Sequence, residues 1–251
     1  MDNSLLVSLS QQLASFRAMD VIANNIANVG TPGFKREAAK FEEYVAHVRP
    51  SEDQKGIQTV SFVKDAGIQR DLSQGSMEHT GATFDLAING KGYFAIQTPQ
   101  GVRYTRDGHF SLDADGNMVT SGGQPLLGDG GPIAITPDDA DVQFGLDGTI
   151  SATVNGLGTQ LGKLRVVDFS NERLLVKQGA NLYTAPPSQT PVTAVDATVQ
   201  QGMLEGSNVS PVIEISHMVE VMRAYEATAS LSASQEELLR NAVDKLGQMP
   251  N

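Results

Sequence analysis

The chain has 251 residues and a formal charge of −11 at neutral pH, with an isoelectric point near 4.7. This acidity argues against a nucleic-acid partner, because phosphate contacts need a basic face. The sequence holds no cysteine, which excludes disulfides and thiolate metal sites, while a hydrophobic content of 40% allows a substantial core. Its apolar runs are too short to span a bilayer.

The first residues, from Met1 to Val7, have neither the basic segment nor the long apolar segment of a cleavable signal peptide. We therefore expect a protein that stays in the cytoplasm, or one that leaves the cell by a route that does not cleave a signal.

Apolar residues recur at intervals of three and four from about Asn3 to Asn28, which predicts an amphipathic helix. Such spacing is typical of a coiled-coil seam. A terminal helix packed on its own domain is the simpler alternative. The seam consists of Leu6, Leu9, Leu13, Phe16, Met19, Ala23 and Ile26.

The end of this helix is rich in residues that stop helices and form turns. Asn28 and Gly30 tolerate left-handed backbone, so they suit a helix C-terminus. Pro32 and Gly33 form a turn pair, in which proline presets the first central position and glycine supplies a positive φ at the second. Phe34 is then expected to anchor the chain as it leaves the turn.

A helix stop followed by a turn does not explain two further asparagines. Asn24 and Asn25 lie inside the predicted helix and lower its propensity, as does Asn28 at its end. Amides at one end of an apolar seam can fix the register between packed helices. The hypothesis is therefore that this segment is an assembly signature, formed by Asn24, Asn25, Asn28, Pro32, Gly33 and Phe34.

From Thr83 onward, alternating apolar residues and frequent turn pairs predict an antiparallel meander or barrel. Asn89-Gly90 is predicted to be a hairpin turn, with Tyr93 to Ile96 as the return strand. The predicted fold is mixed and mainly β, with discontinuous N- and C-terminal coiled-coil-type helices bracketing nested antiparallel β domains.

Three regions are predicted from these patterns. They are a terminal helical assembly domain of residues 1–35 and 211–251, a connector β region of residues 36–80 and 186–210, and a central β domain of residues 81–185.

A second long helix is predicted from about Pro211 to Gly247, with Pro211 in a favourable first-turn position and Glu214 near the positive end of the helix dipole. A helix of about 50 Å needs a partner along its seam, and the first helix is the obvious candidate. Two helices bury little surface, so we expect other copies of the chain to complete the pair. The seam consists of Met218, Met222, Tyr225, Ala229, Ser232, Glu236, Leu239, Val243 and Leu246.

Catalytic and metal-binding patterns are absent from the sequence. The four histidines are scattered and show no metal-ligand spacing, and there is no G-x-S-x-G nucleophile motif. Residues 90–95 fit a dinucleotide fingerprint, but a strand and not a helix is predicted to follow. We predict no enzyme activity, no cofactor and no metal site.

Several stretches are similar to the flagellar rod and hook family. Residues 23–36 closely resemble its N-terminal signature, and the resemblance runs from one end of the chain to the other. The other stretches that carry it are residues 85–94, 104–110, 179–183, 201–209 and 222–226.

The resemblance implies a structural, self-assembling axial subunit of the flagellar basal-body rod. Chain length and residues 211–216 look most like a proximal-rod subunit, with a distal-rod subunit as the alternative. A hook protein usually carries extra β domains for which this chain has no room. A periplasmic β-rich enzyme or binding module is the distant alternative, disfavoured by the absence of tryptophan and of clustered histidines.

The same resemblance implies the partners and the location. The partners are other copies of the chain, the neighbouring inner-rod and distal-rod subunits, and the flagellar export apparatus. The chain would be made in the cytoplasm, exported without a cleaved signal peptide, and built into the periplasmic rod. Phe41 and Val45 are similar to the short motif, phenylalanine followed by a hydrophobic residue four positions later, that the export gate reads.

Overall fold

The structure is a computed structural model that describes residues 2–48, 58–136, 139–154 and 157–247. The chain forms two compact units. The first unit comprises Met1–Ala27, Glu37–Asp71 and Ser210–Asn251, and the second comprises Asn28–Arg36 and Leu72–Val209. Two helices and many short antiparallel strands confirm the predicted fold class, while the division into three regions stays a prediction.

The first unit contains both helices and one long hairpin. Helix α1 spans Asp2–Ala27 and helix α2 spans Pro211–Gly247, so both predicted terminal helices are confirmed within a residue of their predicted bounds. Strands β1 (Glu37–Val48) and β2 (Gln58–Arg70) pair antiparallel. Within this unit, α1 packs against α2 and against both strands.

The hairpin carries a bulge near its base. The register shifts between Lys40 and Phe41, opposite Gly67, whose φ of +102° favours glycine. A bulge bends a two-stranded ribbon and increases its twist. The ribbon can therefore follow the surface of a helix.

The second unit is built from short strands that are all paired antiparallel. Its strands are β3 (Met77–His79), β4 (Leu86–Asn89), β5 (Tyr93–Thr98), β6 (Gly101–Thr105), β7 (Phe110–Leu112), β8 (Met118–Thr120), β9 (Leu127–Gly128), β10 (Gly131–Pro132), β11 (Asp139–Phe144), β12 (Thr149–Val154), β13 (Leu157–Lys163), β14 (Val166–Asp168), β15 (Val176–Lys177), β16 (Tyr183–Thr184), β17 (Val192–Thr193), β18 (Thr198–Gln201) and β19 (Met203–Glu205).

A six-stranded sheet in the order β15-β16-β6-β5-β14-β17 organises the second unit. Strand β5 is buried on both faces, because Phe94 and Ile96 join one apolar cluster while Tyr93 and Ala95 join another. This follows from the period of two along a strand. The remaining strands form a three-stranded sheet, β11-β12-β13, and two-stranded pairs.

The structure corrects one predicted hairpin. Asn89-Gly90 does not connect paired strands, because β4 pairs with β18 while β5 pairs with β6 and β14. Gly90 has the positive φ expected of such a turn, at +100°. The local turn chemistry was correct, but the chain leaves it for a different sheet, which depends on long-range pairing.

Candidate assembly site

The signature run leaves α1 through two successive turns. The backbone N–H of Thr31 donates to the Asn28 carbonyl at 3.2 Å, and the hydroxyl of Thr31 donates to the Asn28 side-chain oxygen at 3.2 Å. The N–H of Phe34 donates to the Thr31 carbonyl at 3.3 Å, which closes a turn around Pro32 and Gly33. Gly33 has a φ of +67°, as predicted for the second central position.

The left-handed conformation expected at the helix end is not found there. Neither Asn28 nor Gly30 has a positive φ, so that expectation was wrong. Instead, Thr31 donates to both the carbonyl and the side chain of Asn28, which turns the chain just beyond the helix.

Gly33 cannot accept a side chain at this position. A Cβ atom there would lie 2.5 Å from the Arg106 carbonyl carbon and 2.6 Å from the Asp107 nitrogen, both of which are backbone atoms. We expect Gly33→Ala to lower the free energy of unfolding by at least about 2 kcal/mol, since strain at positive φ adds to the clash. Urea unfolding followed by circular dichroism would measure the loss.

Gly30 provides the matched control. A Cβ atom added to Gly30 would meet no other part of the described chain within 4 Å, and the residue has no positive φ. Gly30→Ala should therefore change the unfolding free energy by less than about 0.5 kcal/mol. Equal losses in the two variants would contradict the close approach at Gly33.

The two residues after the turn are buried in the second unit. Phe34 is 1% exposed, and the ammonium of Lys177 lies 4.4 Å from its ring centre, within cation–π range. Lys35 is also buried, and its ammonium donates to the Ser73 carbonyl at 2.8 Å and to Glu205 Oε1 at 2.5 Å. The predicted anchor at Phe34 is therefore extended by a buried charge.

Glu205 connects Lys35 to a second buried cation. The guanidinium of Arg106 donates to Glu205 Oε2 at 3.2 Å and to the Gly90 carbonyl at 2.8 Å, and Glu205 Oε1 also accepts the Gly75 N–H at 3.1 Å. Burial lowers the pKa of Lys35, an effect that the Glu205 carboxylate opposes. One carboxylate thus holds two buried cations, which we call the Lys35–Glu205–Arg106 triad.

Two asparagines fix the backbone of the same segment. The side chain of Asn208 accepts the Arg36 N–H at 2.7 Å and donates to the Ser73 carbonyl at 3.0 Å. The side chain of Asn181 donates to the Pro32 carbonyl at 3.1 Å. The stretches 32–36, 104–110, 179–183 and 201–209, which are far apart in sequence, therefore meet in one buried junction.

Sequence reasoning missed the polar members of this junction. Lys35, Arg106, Glu205 and Asn208 all lie in stretches that carry the family resemblance, but none was assigned a role. The sequence signal that could have identified them is that each of these polar residues stands in a run that is otherwise apolar or rich in glycine.

A buried phenol lies in the second apolar cluster of this unit. The hydroxyl of Tyr93 donates to a Glu172 carboxylate oxygen at 2.8 Å. Burial raises the pKa of Tyr93, and the negative charge of Glu172 raises it further. The folded protein therefore keeps this proton at pH values where an unfolded tyrosine releases it.

We expect the unfolding free energy to fall above about pH 10, because the unfolded chain there binds fewer protons than the folded chain. Tyr93→Phe should remove up to about 1.4 kcal/mol per pH unit from that decline. Lys35 acts in the opposite sense, since its lowered pKa makes stability rise with pH up to its ordinary value of 10.5. The natural chain and the Tyr93→Phe chain both contain Lys35. Comparing their unfolding free energies in urea at the same pH therefore measures the contribution of Tyr93 alone.

In the first unit, Asn25 makes a buried polar contact between three elements. Its side-chain oxygen accepts the Glu37 N–H of β1 at 2.9 Å, and its side-chain nitrogen donates to the Glu37 carbonyl at 2.7 Å. The same nitrogen donates to Glu214 Oε2 of α2 at 2.9 Å. Asn25 and Glu214 are fully buried, whereas the neighbouring Asn24 is exposed. We call this arrangement the Asn25 clamp.

The predicted seam of α1 divides between exposed and partly buried positions. Four residues form a stripe on the exposed side, and Met19 and Ile26 are partly buried. The stripe, called the α1 stripe below, consists of Leu6, Leu9, Leu13 and Phe16, which are 51%, 51%, 60% and 49% exposed.

The predicted seam of α2 divides in a similar way. Met218, Tyr225 and Leu239 are partly buried, and Tyr225 contacts Phe16 with ring centres 4.8 Å apart. Met222 lies on the exposed side, in an apolar stripe of Val212, Ile215, Val219 and Met222. The side chains of Val243 and Leu246 lie outside the described residues.

The candidate export motif lies on strand β1, where Phe41 is partly buried and Val45 is exposed. Among the described residues, no group of three or more histidine, aspartate or glutamate side chains is arranged to hold a metal ion. Neither described helix combines the length and apolar character required to cross a membrane.

The chain matches three family profiles that together cover both helices and part of the β region. Residues 6–35 match "Flagella basal body rod protein". Residues 87–152 match "Flagellar hook protein FlgE/F/G D1 domain", and residues 200–245 match "Flagellar basal body rod FlgEFG protein C-terminal".

Whole-length similarity to named proteins agrees with the profiles. The chain is 43% identical to "Flagellar basal-body rod protein FlgF" of Caulobacter vibrioides, over 99% of this chain and 100% of that protein. It is 34% identical to FlgF of Mesorhizobium japonicum, over 98% and 99% of the two chains. It is 35% identical to FlgG of Buchnera aphidicola from Schizaphis graminum, over 92% and 93%.

Proposed function

Because this chain belongs to the family of flagellar basal-body rod proteins, we propose that it occupies the proximal rod and assembles there through its two terminal helices. That it is a structural subunit of the flagellar basal-body rod, assembled with other rod components, follows from the family itself. The proximal position is supported by the 43% identity to the Caulobacter FlgF, against 35% for the FlgG relative named above. Both FlgF matches also cover 98% or more of each chain, whereas the FlgG match covers 92% and 93%.

The observation that carries the proposed mode of assembly is the α1 stripe. Its large apolar side chains are about half exposed along roughly three turns of the helix, which is unfavourable in water, and contiguous patches of this kind mark interaction surfaces. The exposed stripe on α2 has the same spacing of three and four residues. Side chains from neighbouring subunits cover both stripes in the assembled rod.

Export before folding fits the position of the candidate motif. Phe41 is partly buried in β1 in the folded chain, so a reader of that side chain must meet it in an unfolded chain. The chain is exported by the flagellar apparatus without signal cleavage and folds as it joins the periplasmic rod. Its partners are other copies and the neighbouring inner-rod and distal-rod subunits.

Electron microscopy of basal bodies from a gene-deletion strain tests this assignment. We expect basal bodies that lack the distal rod and hook, restored by the full chain but not by a chain lacking residues 1–28. A rod that is intact up to the hook would instead assign the chain to the distal rod. Normal flagella in the deletion strain would overturn the rod assignment.

A further inference from the structure

Helix α1 directs its less apolar face toward its own unit. Ser8, Ser15 and Ile22 lie on the buried face, seven residues apart, while the α1 stripe is exposed. At about 100° per residue, the centres of the two faces lie about 140° apart around the helix axis. Over residues 6–16 the helix therefore buries serines and exposes leucines, whereas Val21 and Ile22 are buried nearer its end.

Apolar burial alone would favour the opposite orientation. Turning the helix about its axis would place Leu6, Leu9 and Leu13 against α2 and β2, and would release Ser8 and Ser15 to water. Two other contacts of α1 in this unit are weak restraints on its orientation: a half-exposed ion pair between Arg17 and Asp65 at 3.5 Å, and the edge-on packing of Phe16 on Tyr225. The weak hydrogen bond from the Val63 N–H to Ser10 Oγ, at 3.4 Å, is long for this purpose.

The hydrogen bonds of the Asn25 clamp depend on the direction in which α1 faces, whereas apolar contacts do not. Its three hydrogen bonds, of 2.7 to 2.9 Å, join α1 to β1 and to α2. All three bonds break if α1 turns, which would leave the Glu214 carboxylate and the Glu37 backbone groups without the Asn25 amide in a buried site. Buried amides of this kind fix the register of packed helices.

We infer that Asn25 is a positioning residue that holds α1 in the orientation that presents its apolar stripe to neighbouring subunits. The inference rests on the proposed function, in which that stripe is the assembly surface. It requires both parts of the amide, because the oxygen accepts the Glu37 N–H while the nitrogen donates to Glu37 and Glu214. Aspartate would lack the donor and would set two carboxylates against each other.

Thiol labelling of the full chain tests the orientation directly, since the natural sequence contains no cysteine. Leu13→Cys reports on the exposed face, and Ser15→Cys reports on the buried face. In the otherwise natural chain, maleimide should label position 13 about tenfold or more faster than position 15, because a buried thiol reacts only when the helix moves.

Adding Asn25→Leu should change the two rates in opposite directions, slowing position 13 and speeding position 15. Adding Asp20→Asn, at an exposed position of the same helix, should change neither rate. Faster labelling at both positions would mean that Asn25 only keeps the helix folded. If Asn25→Leu leaves both rates unchanged, or if positions 13 and 15 react equally fast in the natural background, Asn25 does not set the orientation of α1. Each of these three results would overturn the inference.

A paired substitution tests whether Asn25 acts through Glu214. Asn25→Asp should disturb the labelling pattern, and combining it with Glu214→Gln should restore part of it, because the glutamine amide then donates to the aspartate while the Glu37 carbonyl still lacks its donor. No restoration would overturn the role assigned to that contact.

Incorporation into basal bodies separates this inference from the proposed function. We expect the Asn25→Leu chain to be excluded from rods and the otherwise natural chain to be incorporated. If Asn25→Leu turns the helix and yet assembles normally, the stripe is not the assembly surface and the proposed mode of assembly fails. If assembly is lost without the opposite changes in labelling, only the positioning role fails.

Discussion

Glu205→Ala is expected to destabilise the second unit by about 3–5 kcal/mol, the typical cost of removing one partner from a buried ion pair. The carboxylate accepts hydrogen bonds from both the Lys35 ammonium and the Arg106 guanidinium, and all three side chains are at most 5% exposed. Without it, two buried cations repel each other and the Gly75 N–H loses its acceptor. Part of the loss can be relieved if Lys35 releases its proton, since burial already lowers its pKa.

The tyrosines report on this unit, because Tyr93, Tyr104 and Tyr183 are buried there and the chain has no tryptophan. Urea unfolding followed by near-ultraviolet circular dichroism would therefore measure the loss. Asp129→Ala removes an exposed carboxylate of the same unit and should cost less than about 0.5 kcal/mol. If the two variants lose equal stability, the triad contributes no more than a surface charge.

The terminal helices and the Pro32-Gly33 turn could be predicted from the sequence because each is encoded within a few residues. Spacing of three and four residues defines a helix, and a proline–glycine pair defines a turn with a positive φ at the glycine. The triad could not be predicted in this way. Lys35 and Glu205 are separated by 170 positions in the chain, and only the folded sheet brings them together.

The orientation of α1 was also beyond the sequence pattern. Periodicity predicts which residues share a face, and Leu6, Leu9, Leu13 and Phe16, which it groups together, are all about half exposed. It does not say whether that face meets the same chain or another one. The buried Asn25 amide sets the orientation of α1, and periodicity does not reveal this. The apolar seam and the buried face of α1 therefore differ.

Replacing Leu13 and Phe16 together with aspartate is expected to abolish incorporation of the chain into the rod, while the second unit stays folded. Both side chains are about half exposed in the single chain, so a carboxylate there remains hydrated. An apolar interface between subunits would remove that hydration at a cost of several kcal/mol for each charge. Every subunit that joins would carry the same penalty twice.

One contact within the chain must be separated from this effect. Phe16 packs edge-on against Tyr225, and such pairs contribute about 0.5–1.5 kcal/mol, so Phe16→Asp also weakens the packing of α1 on α2. Leu13→Asp has no such partner ring and is the more exposed position at 60%, which makes it the cleaner single variant. Its effect should fall on assembly far more than on stability.

Leu13→Met combined with Phe16→Leu retains an apolar face at the same two positions and serves as the matched control. Motility and immunoblots of isolated basal bodies, in a strain whose own copy is deleted, would compare the variants. Near-ultraviolet circular dichroism of the purified chains would show whether the tyrosines of the second unit remain packed. Normal incorporation of the double aspartate variant would mean that the α1 stripe faces water in the rod.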